Sequence, residues 1–372
     1  MRVGINCHSI LSRQYTGIGR YTYNLLKSLS QMDTGNEYWL YARKSLFNFK
    51  KKIPQFNGQR FVRKVDYFKK GIDAVLKTVD VYHSPSFDYF CARTSFPVVV
   101  TVHDLIFKSY PGGHPRRTVD ELQEQFDQAV RYSQKIICCS QNTIDDIHKY
   151  FQVDRDKITL VHQGVDPDVF YTLDGDEREQ ARQTVKNKGI SGAYILSVGT
   201  IEPRKNIAGT LRAFQILKEK KYFSGKLVVA GMKGWLNEEL DRILADLPVK
   251  EDVVFPGYLT DEELRHFYNL AEVFVFPSFY EGFGYPIVEA FSCQTPVVTS
   301  NVSSCPEIAQ DGALTVDPHD VDAIAEAIAR LLSDQDLIAR KRQAGTAIAR
   351  EMNVFNTAKN TLAVYQQVSQ KK

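Results

Sequence analysis

The chain has 372 residues, 43% of them hydrophobic and 24% charged, and a formal net charge of +3 at pH 7. This length exceeds one ordinary domain and predicts two, and the composition excludes a disordered or fibrous chain. No apolar run reaches the roughly 18 residues of a spanning helix, and the N-terminus lacks the basic, apolar and small-residue layout of a signal peptide, so the expected compartment is the cytoplasm.

Two further compositional features narrow the class. Cys7, Cys91, Cys138, Cys139, Cys293 and Cys305 are scattered with no C-x-x-C pair, which suggests buried reduced thiols rather than a zinc site or a disulfide framework. Charge is uneven: residues 1–70 hold fourteen Lys or Arg against three Asp or Glu, a net of +11 that leaves −8 for the rest. A basic opening segment suggests an anionic neighbour, either a membrane surface, a phosphorylated acceptor or a nucleic acid.

In chain order, Arg2–Asn6 reads as a strand and residues 20–29 as a helix, with Tyr21, Leu25, Leu26 and Leu29 near helical spacing. Strands follow at 37–42, 80–83, 98–102 and 135–139, and helices at 117–131 and 143–151. The run Val98-Val99-Val100-Thr101-Val102 suits a parallel sheet covered on both faces. The alternation breaks around 162–168 and in the polar stretch 174–188, which places a hinge at 164–170. Strands resume at 194–198, 226–230, 253–255, 273–276 and 296–299. Helices lie between them at 207–219, 237–245, 261–270 and 286–293, and the tail 354–368 is a last helix. Two β/α series in one chain predict two doubly wound α/β domains.

Four constellations carry chemistry. Thr16-Gly17-Ile18-Gly19-Arg20 follows the first strand and opens a helix, which suits a small-residue loop approaching a phosphate or an acceptor, or simply a tight βα turn. The place of a dinucleotide fingerprint's last glycine holds Thr22, and the second strand ends in Arg43 rather than an acid, so a nicotinamide reading is disfavoured. Val102-His103-Asp104 puts an imidazole beside a carboxylate at a strand's C-terminal end, a polar group for a crevice or a structural histidine.

The other two lie in the second series. Ser197-Val198-Gly199-Thr200-Ile201-Glu202-Pro203-Arg204-Lys205-Asn206 ends a strand with two cations suited to phosphate, before a helix that Asn206 can cap. Glu281-Gly282-Phe283-Gly284-Tyr285-Pro286-Ile287-Val288-Glu289 is a strand-to-helix loop whose helix N-terminus favours anions. Its two carboxylates would accept hydrogen bonds from the hydroxyls of a sugar and a ribose flanking a diphosphate; the plainer alternative is a turn with a capping glutamate.

Together these pieces resemble the retaining glycosyltransferases of the GT-B fold, family 4, over nearly the whole chain. Glu281 and Glu289 look like that family's E-x7-E motif, Lys205 like its donor-phosphate lysine, His103 like the histidine near the transferred sugar, and Gly17 and Gly19 like its N-terminal loop. The segment Thr295-Pro296-Val297-Val298, the pair Pro306-Glu307 and Asp317-Pro318 are similar as well. Thr200 stands where many members carry arginine, which leaves Arg204 as the second cation, and Thr16 stands where many carry glycine.

The resemblance implies two Rossmann-like domains facing across a cleft, at 1–168 and 169–353, with the C-terminal helix 354–372 crossing back to the first. It implies a nucleotide-sugar donor on the second domain. Glu289 would hold the ribose, Arg204, Lys205 and the backbone N–H groups of Gly284 and Tyr285 the diphosphate, and Glu281 the sugar. Gly282 and Phe283 belong to the same loop, and the base would stack near Gly257, Tyr258 and Leu259. The first domain would bring a glycan or lipid-linked acceptor to Gly17, Gly19 and His103. The run Glu202-Pro203-Arg204-Lys205-Asn206 resembles the subgroup that uses mannosyl donors for polysaccharide assembly, pointing to GDP-mannose. No cofactor and no metal are expected, since no D-x-D pair is placed to hold an ion over a phosphate. Alternatives are a UDP-sugar donor, or a GT-B-like epimerase or phosphorylase.

The segment 43–70, with Leu46, Phe47, Phe49, Phe61, Tyr67 and Phe68 among cations, suits peripheral contact with anionic lipid. A nucleic-acid partner is not expected, because that would spread the positive charge over more of the chain.

Overall fold

The structure is a computed structural model that describes residues 1–11, 17–32, 35–45, 52–56, 60–89, 94–111, 116–232, 234 and 238–370. Thr16, Leu46, Phe47, Phe49 and Cys91 lie outside these. The chain divides into two compact units, one formed by Met1–Gln163 with Val354–Lys372 and the other by Gly164–Asn353.

Unit 1 holds strands β1 (Arg2–Asn6), β2 (Glu37–Arg43), β3 (Phe61–Asp66), β4 (Val81–Ser84), β5 (Val98–Val102), β6 (Lys135–Cys138) and β7 (Ile158–Leu160). They form one sheet in the order β3-β2-β1-β4-β5-β6-β7, every pairing parallel. Parallel strands need crossovers, and helices supply them on both faces. That is why β5 is buried throughout, with valine at every position but Thr101. Val99 enters one core cluster with Val3, Ile5, Leu25 and Leu26, while Val98 and Val100 enter the other with Tyr82, Phe107 and Phe126. The helix Val354–Ser369 returns to the first of these clusters through Ala358, Val364, Tyr365 and Val368.

Unit 2 holds β8 (Tyr194–Val198), β9 (Lys226–Ala230), β10 (Val253–Gly257), β11 (Val273–Phe276), β12 (Val297–Ser300) and β13 (Ala313–Val316). The order is β10-β9-β8-β11-β12-β13, again all parallel. In each sheet the strand order reverses once, between β1 and β4 in unit 1 and between β8 and β11 in unit 2. Outside the C-terminal ends of strands at such a reversal, neighbouring loops part and leave a crevice.

The division falls at Gln163–Gly164 rather than at 168–169 as the sequence suggests. The connecting residues pack on unit 2: Val165 N–H donates to Met352 C=O at 3.0 Å, Arg265 donates to Val169 C=O at 3.0 Å, and Phe170 is buried against Tyr268. Cys7, Cys138, Cys139, Cys293 and Cys305 are buried and in no disulfide.

Candidate active site

In unit 2 the loops after β8 and β11, the two strands flanking the reversal, carry the charged residues. The β8 loop is held against the end of β9 and the loop after it. Gly199 N–H donates to Ala230 C=O at 3.0 Å, Ile201 N–H to Met232 C=O at 2.9 Å, and Gly234 N–H to Ile201 C=O at 3.0 Å. A Cβ on Gly231 would lie 1.9 Å from Gly199 C=O, so only glycine permits this contact. Asn206 ends the loop in a left-handed turn and caps the helix Ile207–Glu219 through Gly209 N–H at 3.1 Å. Its amide also donates to Pro277 C=O at 3.1 Å and Pro318 C=O at 2.6 Å, tying the β8 loop to the loops after β11 and β13.

This frame fixes a compact ion network. Lys205 Nζ donates to Glu281 Oε1 at 2.6 Å. Arg204 Nη1 lies 2.9 Å from Glu281 Oε2 and donates to Tyr280 C=O at 2.7 Å, while Nη2 and Nε engage Glu202 Oε1 at 2.5 and 3.0 Å. Glu202 and Glu281 are both buried. Burial opposes the Glu281 charge, but Arg204 and Lys205 outweigh it and hold the carboxyl at about 2, below its ordinary 4.5. Burial and the Arg204 charge push Lys205 down, partly offset by Glu281. The Lys205 ammonium also sits 4.8 Å over the Phe276 ring. Glu281 is pinned through its backbone: its N–H donates to Ser303 Oγ at 2.7 Å and its C=O accepts from Ser304 Oγ at 2.9 Å.

Glu289 stands on the helix Tyr285–Ser292, buried, and accepts from the buried Tyr268 hydroxyl at 3.0 Å. Gly284 precedes that helix at φ +107°, a conformation that favours glycine, and Pro286 sits in the first turn, where its missing N–H costs nothing. Phe283 is buried with its ring edge-on to Tyr285, and Gly282 is partly exposed. Of the trio at the end of β10, Gly257 has φ +78°, Tyr258 is 47% exposed and Leu259 is buried, so Tyr258 is the ring available for stacking.

In unit 1, His103 follows β5. Its Nε2 is 2.7 Å from Pro85 C=O, an acceptor only, so Nε2 carries the proton and Nδ1 accepts from the Gln163 amide at 2.6 Å. Burial lowers its pKa, which leaves the ring neutral at pH 7. Tyr21, one turn into the helix Gly17–Gln31, meets His103 edge-on at 4.9 Å. Gly17 and Gly19 lie inside the first turn of that helix, Gly17 exposed and Gly19 buried, rather than in a loop before it. The first turn of a helix leaves backbone donors without partners inside the helix, so these positions suit a ligand's oxygens.

Arg204, Lys205 and Glu281 are thus brought together in unit 2 with Glu289 eight residues along the same loop and helix, and Gly17, Gly19 and His103 gather at one edge of unit 1. Sequence reasoning missed the supporting residues Glu202, Tyr268, Ser303 and Gln163. Only Glu202, two residues before Arg204, had a local signal. Among the described residues, no group of three or more His, Cys, Asp or Glu could hold a metal ion, and no helix is long and apolar enough to cross a membrane.

Residues 176–350 match the family Glycosyl transferases group 1, and residues 15–169 match Glycosyltransferase Family 4. The chain is 30% identical to O-antigen chain mannosyltransferase B of Escherichia coli, over 94% of this chain and 96% of that one. It is 28% identical to O-antigen chain mannosyltransferase RfbU of Salmonella typhimurium, over 65% of this chain and 62% of that one. Among solved structures, sucrose-phosphate synthase from Thermosynechococcus elongatus superimposes with a TM-score of 0.79 at 19% identity, covering 100% of both chains. The two Rossmann-like units are those of the GT-B fold, and the chain belongs to glycosyltransferase family 4.

Proposed function

We propose that this glycosyltransferase transfers mannose from GDP-mannose, with retention of configuration and without a metal, to a glycan or lipid-linked acceptor in polysaccharide assembly. The observation that carries this reading is the Lys205–Glu281–Arg204 network at the strand-order reversal of unit 2. Likeness to two O-antigen mannosyltransferases supports the sugar.

The contacts support a division of roles. Arg204 has Nε, Nη1 and Nη2 engaged by Glu202, Glu281 and Tyr280, so it holds the network in shape. Lys205 carries three N–H donors and uses one on Glu281, so it faces the donor diphosphate, helped by the helix N-terminus at Tyr285. Glu281, ionised throughout the physiological range, accepts from the sugar hydroxyls, and Glu289, oriented by Tyr268, accepts from the ribose. As the bond from the sugar's anomeric carbon to the diphosphate oxygen breaks, charge grows on that oxygen and Lys205 stabilises it without reorganising. The acceptor oxygen bonds to the same face of the anomeric carbon, and its proton passes to the departing diphosphate. His103, neutral and with both ring nitrogens engaged, positions the acceptor rather than removing its proton.

Contact with an anionic membrane through residues 43–70 completes the reading. Phe61 takes no part, since it stacks on Tyr38 at 5.0 Å, packed against the core. The test is slow hydrolysis of GDP-mannose in EDTA, followed by NMR. α-Mannose as the first product is expected; β-mannose, or no turnover until a divalent metal is added, contradicts the mechanism.

A further inference from the structure

After β3 the chain folds back onto the buried carboxylate of Asp66. Oδ1 accepts from the N–H groups of Phe68 at 3.2 Å and Lys70 at 3.0 Å, and Oδ2 from Gly71 N–H at 3.0 Å and the Tyr41 hydroxyl at 3.3 Å. Burial opposes the charge on Asp66, yet these donors outweigh it and hold the carboxyl below its ordinary 3.8. Lys69 at φ +55° and Gly71 at φ +88° close the turn. The result is a tip with a fixed backbone, on which Tyr67 is 41% and Phe68 66% exposed. Among the described residues no large hydrophobic side chain is more exposed than Phe68.

Cations stand on this turn and on the neighbouring end of β2. Lys69 and Lys70 are exposed beside the two rings, with Lys70 Nζ 5.8 Å from the centre of the Phe68 ring. Arg43 pairs with Asp66 in the β2–β3 register, and Lys44 N–H donates to Asp66 C=O at 3.0 Å. The Asp66 carboxylate lies beneath the tip with its oxygens satisfied from within. Scattered single apolar side chains on a surface are ordinary; two adjacent rings on a braced turn among four cations match the amphipathic layout of a bilayer interface. The placement matters too. All strands of the sheet run parallel, so the tip shares an edge with His103 and with the start of the helix Gly17–Gln31. Four inter-strand steps separate β3 from β5, about 19 Å at the usual strand spacing.

We propose that the turn 66–71 is a docking tip for an anionic lipid bilayer, with Tyr67 and Phe68 entering the headgroup region and Arg43, Lys44, Lys69 and Lys70 meeting lipid phosphates. This deepens the proposed function and rests on its lipid-linked acceptor. The tip would set the sheet edge bearing His103 against the surface from which such an acceptor projects.

Sedimentation of the full chain with lipid vesicles tests this. Binding is expected to vesicles of three parts phosphatidylcholine to one part phosphatidylglycerol, to fall with added salt, and to be lost on pure phosphatidylcholine. Tyr67→Ala with Phe68→Ala, and separately Lys69→Glu with Lys70→Glu, should each weaken partitioning about tenfold while leaving the melting temperature and GDP binding at wild-type values. Wild-type partitioning in either double variant, or equal binding to both vesicle types, would overturn the proposal. Vesicle binding needs neither donor nor turnover, so this failure is separable from failure of the transferase reading, which GDP binding reports.

Discussion

Glu281 and Glu289 are both buried carboxylates, yet their surroundings assign them different work. Glu281 neutralises two cations and, in the proposed function, meets the reacting sugar; Glu289 is held by a tyrosine on the preceding helix. A group that binds the ribose holds ground and transition states alike, whereas one that binds the sugar meets changing charge and shape. Glu289→Gln is therefore expected to weaken GDP binding in calorimetry, and Glu281→Gln to leave it near wild type while kcat falls; the reverse pattern would mean that the donor lies the other way round. Lys205→Ala should lower turnover by about 10²–10³-fold, as loss of one transition-state stabiliser does. Arg204→Ala should in addition cost about 3–5 kcal/mol in urea unfolding, because it leaves the buried Glu202 carboxylate without its cation, while Glu281 keeps Lys205. Equal stability of wild type and the Arg204 variant would contradict its structural role. The residue types at these positions were legible in the sequence. Their pairing was not, because Glu281 meets Arg204 and Lys205 across more than seventy residues, and only the fold decides which charges face each other.

At the scale of elements, strands buried on both faces could be read directly: β5, β8, β9 and β11 occupy the residues their apolar runs predict. The strands that could not be read, β3, β7 and β13, are all sheet edges. Edge strands are short or carry charge, which blunts pairing with other chains; β3 holds Arg63 and Lys64 and β7 has three residues. The helix Gly175–Asn187 was hidden for a related reason, since only Ala181 and Val185 are buried on it. The C-terminal helix Val354–Ser369 is joined to unit 1 by a buried polar chain: Tyr365 hydroxyl to His83 Nδ1 at 2.6 Å, and His83 Nε2 to Thr101 hydroxyl at 2.8 Å. Burial, then the neighbouring His103, pushes His83 from its ordinary 6.5 to about 3. The unfolded chain therefore takes up a proton near pH 6.5 that the folded chain refuses until about pH 3, so this contribution to stability is full above pH 6.5 and drains away as pH falls toward 3. Hydrogen exchange of the 354–369 helix should lose protection between pH 7 and pH 4.5, and less steeply in His83→Gln. Identical slopes in the two proteins would remove His83 from the account.

For the whole molecule, the chain passes from one unit to the other at two places, Gln163–Gly164 and Asn353–Val354. Gly164 and Asn353 lie so close that a Cβ on Gly164 would come 2.1 Å from the Asn353 carbonyl carbon, and Val165 pairs with Asn353 in a parallel bridge. In the proposed function, unit 2 holds a nucleoside diphosphate through Lys205, Glu289 and the Tyr285 helix, with guanine preferred. A ligand that binds only the native state adds about 2.7 kcal/mol of stability at a hundred times its Kd. The direct measurement is therefore a thermal-shift panel of GDP, UDP, ADP and dTDP in EDTA, run on the wild type and on Lys205→Ala. The account predicts a rise of about 5 °C or more with GDP, a smaller one with the other three, and little change in the Lys205 variant. No shift with any of the four in the wild type, or an equal shift with GDP in the variant, would contradict it.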